Sequence, residues 1–146
     1  MQLTMFSDLA LRLIMRMAVE EDGTRFTAAG AADELHASRA HVSKIVTRLA
    51  ELGAVTAVKG RGGGIYLSDG ARDMTVGAIL RALETGEVVD CMHLDCPMLP
   101  ACSLRGELAR AQEAFFAHLD GVTIGSLVRN RPVGLGVTIA VGAPPD

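Results

Sequence analysis

Tryptophan is absent from the 146-residue chain, and aromatic residues of all kinds make up only 3% of it. The core is therefore aliphatic by necessity, filled by Leu, Val, Ile, Ala and seven Met. Long uncharged apolar runs are also lacking. The best candidate, Pro132 to Pro145, carries three Gly and three Pro and falls short of the ~20 residues that span a bilayer. A secretion signal is not evident, because Asp8, Arg12 and Arg16 interrupt the N-terminal apolar stretch at helical spacing. A soluble, cytoplasmic protein without membrane contact is expected. Catalytic signatures are missing as well: there is no G-x-S-x-G and no H-E-x-x-H, and His36, His41, His93 and His118 are scattered. No enzyme is expected.

What remains is a chain of one ordinary domain's length, 49% apolar and 21% charged, which is enough to fold without disulfide staples. The net charge of −3 is unevenly spread. Between Ser38 and Arg61, five cations (Arg39, Lys44, Arg48, Lys59, Arg61) face only Glu51, a net of +4. Residues 65–146 hold six cations against ten carboxylates, a net of −4. A small basic surface on an acidic body suits a nucleic-acid partner, although charges also cluster by chance in windows this short.

Apolar spacing of three and four from Leu3 to Val19 (Phe6, Leu9, Ala10, Leu13, Ile14, Met17, Ala18) predicts a first helix, with Thr4 or Ser7 as its N-cap. A short Ala-rich helix follows from Thr27 to Leu35. After a turn, a third runs from Ser38 to Leu52, with Val42, Ile45, Val46 and Leu49 inward and Gly53 placed to stop it. The period then changes. Val55 and Val58, then Ile65 and Leu67, predict two short strands around a glycine-rich tip, Lys59 to Gly64. This order is that of a winged helix-turn-helix, so the expected fold is mainly α with a small β wing. A fourth helix is predicted from Thr75 to Leu83 and a fifth from Ser103 to His118. On the fifth, Leu104, Leu108, Ala111, Phe115 and Leu119 form an apolar stripe read as a dimerisation seam. A last short helix starts near Thr123. The divisions expected are a DNA-binding domain (1–70), a connecting helix (71–90), a thiol loop (91–102), a dimerisation region (103–130) and a loose tail (131–146).

On the third helix, Ser38, Arg39, His41, Ser43, Lys44 and Arg48 lie away from the apolar face. Short hydroxyls suit base edges and cations suit phosphates, whereas a merely solvated face is the plainer alternative. At the wing tip, Lys59 and Arg61 stand between glycines that permit close approach to a minor groove. A phosphate-cradling enzyme loop is excluded there, since no Lys-Ser/Thr follows the glycines. The three cysteines, Cys91-x4-Cys96-x5-Cys102, sit in one loop broken by Pro97 and Pro100. An odd, clustered set points to metal or redox chemistry rather than disulfides. The residues leave two options open: a zinc site completed by His93, or an iron–sulfur cluster needing a fourth donor.

The wing Lys59-Gly-Arg-Gly-Gly-Gly-Ile, the segment Thr75-Val-Gly-Ala-Ile, three Cys before a long helix and then Thr123-Ile-Gly-Ser-Leu-Val resemble the iron–sulfur winged-helix transcriptional regulators. The likeness covers residues 1 to about 130. The opening Met-Gln-Leu-Thr and the run from Ser7 to Arg12 are closer to the nitric oxide-sensing repressors of that family. The resemblance implies a homodimer on palindromic double-stranded DNA, with nitric oxide as signal and nitric oxide detoxification genes under control. It implies an iron–sulfur cluster, [4Fe-4S] with [2Fe-2S] as the alternative, held by Cys91, Cys96 and Cys102. It also implies Asp8 as a fourth ligand given across the dimer. The first Cys spacing is x4 where relatives commonly show x5, which keeps His93 and Asp95 open as donors. A regulator sensing iron–sulfur or redox status, and a zinc-stabilised dimeric interaction protein, are the remaining alternatives.

Overall fold

A computed structural model describes residues 2–89, 91, 96–98 and 102–129. Helix α1 spans Met5–Ala18, α2 Ala28–Glu34 and α3 Arg39–Glu51. Strands β1 (Val55–Val58) and β2 (Gly64–Leu67) follow, then a 3-10 turn (Ala71–Asp73), α4 (Val76–Leu83), α5 (Leu104–Leu119) and α6 (Ile124–Arg129). The mainly helical winged-helix architecture expected from the sequence is present, and each predicted helix begins within two residues of its expected start. The expected tail lies outside the described residues.

Hydroxyl caps set several helix starts. Thr4 Oγ1 accepts from Ser7 N at 3.2 Å, Thr27 from Gly30 N at 3.0 Å, Ser38 from His41 N at 3.2 Å and Thr75 from Ala78 N at 3.1 Å. The end of α3 is closed by Gly53 at φ +75, with Ala54 N bonded to Leu49 O at 2.9 Å and Gly53 N to Ala50 O at 3.0 Å. That pair of bonds satisfies two of the carbonyls a helix end leaves open. Arg72 binds the other end of the head, donating to Ala18 O at 3.2 Å and Glu20 O at 2.7 Å where α1 runs out of internal donors.

The wing is an antiparallel pair with Val55 opposite Leu67 and Val58 opposite Gly64. Phe26 adds a bridge on its other edge, exchanging bonds of 2.9 and 2.8 Å with Ile65. One continuous aliphatic core runs from Leu9 to Ile124 and includes Leu13, Ile14, Met17, Ile45, Leu49, Ile79 and Leu80.

Helix α5 departs from the expected picture in one respect. The residue it buries is Phe116, 5% exposed, beside the predicted stripe rather than in it. Gly77 of α4 makes room for this, since a Cβ there would sit 2.5 Å from Phe116 O and 2.2 Å from Asp120 Oδ1. Of the stripe itself, Leu104 and Phe115 stay 58% and 40% exposed, and Leu119 is half-buried against the core.

Candidate DNA interface and thiol site

Burial of Val42, Ile45, Val46 and Leu49 fixes the rotation of α3 and turns Arg39, Ser43 and Lys44 to solvent. Arg39 and Lys44 have no hydrogen-bond or ion-pair partner among the described residues. Lys59 and Arg61 are likewise exposed and unpaired among those residues. Ser38 caps its own helix, so its oxygen already accepts one bond.

Two of the six predicted α3 contacts are engaged elsewhere. Arg48 donates to Ala82 O at 2.9 Å, near the carbonyl end of α4, and pairs with Glu51 at 2.9 Å. His41 turns its ring against Phe6 of α1, with centroids 5.9 Å apart, and its Nε2 is buried without a partner. These two side chains bind α3 to its neighbours, although the Arg48 side chain stays 41% exposed.

The wing tip is shaped by its glycines. Gly60 and Gly62 adopt φ +99 and +81, which only glycine takes without strain. Gly63 has no room for a side chain, because a Cβ would meet Val58 O at 2.2 Å. The tip is closed by Gly63 N donating to Gly60 O at 2.9 Å. Arg25 Nε also donates to Gly63 O at 2.8 Å, a contact across 38 residues of sequence that no local sequence signal announces.

In the first turn of α1, near Phe6, Asp8 is half-buried and its Oδ1 accepts from Arg12 Nε at 2.8 Å. The helix start is held from α4. Glu84 Oε1 accepts from Thr4 N at 2.8 Å and Thr4 Oγ1 at 2.9 Å. Desolvation pushes the Glu84 carboxyl up, but hydrogen bonds from Ser7 and Thr4 outweigh it and bring it below the usual carboxylate range. Glu84 was not singled out from sequence, since nothing in spacing links residues so far apart. It also lines an open cleft of ≈ 340 Å³, with Gln2, Thr4, Glu87 and Gln112, just before the thiol loop.

Cys91, Cys96 and Cys102 are free thiols, each half-buried. Cys96 N donates to Cys91 O at 3.4 Å. Partial burial pushes the Cys91 thiol up, and so do Cys96 and Cys102, whose charges it feels. Arg105 acts in the opposite sense. Arg105 is itself held by Glu87, with Nε 2.6 Å from Oε2. Three soft sulfur donors on one short stretch fit a thiophilic iron–sulfur centre by their chemistry as a donor set. Among the described residues, no three potential ligands are already close enough to grip a metal ion. His93 and Asp95 lie outside the described residues. No described helix is long and apolar enough to cross a membrane.

Comparison with known proteins agrees with this geometry. Residues 3–130 match the Rrf2 family, described as iron-dependent transcriptional regulators. The chain is 47% identical over 143 residues to the HTH-type transcriptional repressor NsrR of Streptomyces coelicolor, covering 94% of this chain and 97% of that one. Among solved structures, oxidised CymR of Staphylococcus aureus matches with a TM-score of 0.69 at 22% identity, over 90% of this chain and 99% of that one. IscR of T. potens matches with a TM-score of 0.66 at 18% identity, over 88% and 87%. The chain thus belongs to the Rrf2 family of transcriptional regulators, and is a regulator rather than an enzyme.

Proposed function

We propose that this regulator is a homodimeric repressor that binds palindromic DNA while Cys91, Cys96 and Cys102 hold an iron–sulfur cluster, and releases it on exposure to nitric oxide. The observation carrying this reading is the set of three free, half-buried thiols, Cys91, Cys96 and Cys102, with Cys96 N donating to Cys91 O at 3.4 Å, in a chain whose α3 and wing present unpaired cations. The sequence likeness to a named repressor and to the nitric oxide-sensing members of the family supports it. A [4Fe-4S] centre is favoured, with [2Fe-2S] as the alternative.

Arg39, Lys44, Lys59 and Arg61 would bind phosphates, with Ser38 and Ser43 at base edges. His41 and Arg48 would hold α3 at its angle to the duplex. When bound, the cluster would supply an iron open to nitric oxide if its fourth ligand were a weakly held oxygen. Asp8 of the partner subunit would be that oxygen donor, so each α1 links the two protomers. Loss of this link would release the tie between the protomers and let the two heads leave the spacing a palindrome requires.

The test is DNA binding by anaerobically purified protein to palindromic duplexes selected from a random pool, before and after nitric oxide. The reading predicts tight binding lost on nitric oxide addition. Binding that nitric oxide leaves unchanged would overturn it.

A further inference from the structure

Arg25 stands on the short segment that pairs with the wing edge. Its neighbour Phe26 exchanges two backbone bonds with Ile65 and packs inward, so the alternation of an extended chain sends Arg25 to the outer side. Its stem lies across Gly64, where a Cβ would come within 2.7 Å of Arg25 Cγ and 2.9 Å of its Nε. Its Nε then donates to Gly63 O at 2.8 Å. The side chain is exposed, and its two terminal nitrogens have no partner among the described residues. One N–H of the planar guanidinium is therefore anchored, and that bond orients the remaining fork on the same wing that carries Lys59 and Arg61.

We propose that Arg25 is a third DNA-contacting cation of the wing: it braces the tip through Gly63 and offers its free fork to a backbone phosphate. An anchored fork loses less rotamer freedom on binding than the free side chains of Lys59 and Arg61. It binds a phosphate in two-pronged fashion and carries no base preference, which matches its place beside the wing tip rather than on α3.

This rests on the DNA reading above, and the experiment separates the two. Full-length protein is titrated with a fixed 30-base-pair duplex of random sequence across a series of KCl concentrations, for wild type, Arg25→Ala and Arg25→Lys. Circular dichroism confirms that each variant is folded. At fixed salt Arg25→Ala is expected to weaken binding about fivefold. The plot of log affinity against log salt should also become shallower by about 0.9 for each wing that touches the duplex. Arg25→Lys keeps the charge and should keep the wild-type slope. Weakened binding at an unchanged slope would mean that Arg25 only props the tip, and would overturn the phosphate contact, as would a variant indistinguishable from wild type. Wild type that ignores the duplex would instead overturn the DNA reading itself.

Discussion

At the scale of single residues, the side chain that organises the thiol end is Glu84. It ends α4, where the chain leaves for Cys91, and its carboxylate holds Thr4, the cap of the helix carrying Asp8. Because its pKa is lowered in the fold, the folded state binds its proton less readily than the unfolded chain. Its stabilising contribution is therefore present above the unfolded value of ~4.3 and is lost as pH falls through the lower folded value. Glu84→Gln keeps an acceptor oxygen but removes the titration. Denaturant midpoints measured from pH 7 down to 3 should fall more steeply for wild type than for the variant below pH ~4.5. Parallel profiles would show that this carboxylate is not coupled to folding. The thiols give a second prediction. Cys91→Ala or Cys102→Ala should abolish both iron binding and site-specific DNA binding, whereas Asp8→Ala should be milder, because water or an added thiol can replace an oxygen ligand. Iron content and anisotropy titrations of the three variants check this. A Cys91→Ala protein that binds its site as tightly as wild type contradicts the proposed role.

At the scale of elements, α4 and α5 pack at a distance set by one missing side chain. A methyl group at Gly77 would collide with the backbone of α5 at Phe116 and with Asp120, neither of which can swing away cheaply. Asp120 is itself fixed, pairing with Arg81 at 2.7 Å while Arg81 also holds Glu113 at 2.7 Å. Gly77→Ala should cost about 1–3 kcal/mol by urea denaturation, as overpacking generally does. The two adjacent phenylalanines would separate the core from the proposed seam. Phe116→Ala should cost about 3–5 kcal/mol. Phe115→Ala should cost far less per folded protomer and instead weaken self-association, measured by sedimentation at several concentrations. An unchanged dimer would remove Phe115 from the seam. The sequence pattern located α5 and its apolar stripe but not Phe116. Periodicity reports that a face is apolar, and cannot say whether the same chain or a second copy covers it. The α3 face was legible for a related reason and with a related limit. Four aliphatic residues fixed its rotation, yet the turning of His41 and Arg48 toward α1 and α4 depends on partners distant in sequence.

At the scale of the whole molecule, the polarity of function follows the polarity of charge. The basic stretch 38–61 becomes α3 and the wing, while the acidic remainder forms α4, the thiol segment and α5. Helix α1 joins the two ends, carrying Phe6 against His41 and Asp8 in the same first turns. The winged-helix order was readable because caps, glycine stops and a change of period are local signals. Arg25 and Glu84 were not, because each acts on a segment brought near only by the fold. The central claim is that the three thiols hold iron and sulfide. The most direct test is an absorption spectrum with iron, sulfide and zinc analysis of protein purified without oxygen. The account predicts a brown protein containing iron and sulfide, whose spectrum shifts or bleaches with nitric oxide. A colourless protein carrying one zinc per chain would contradict it.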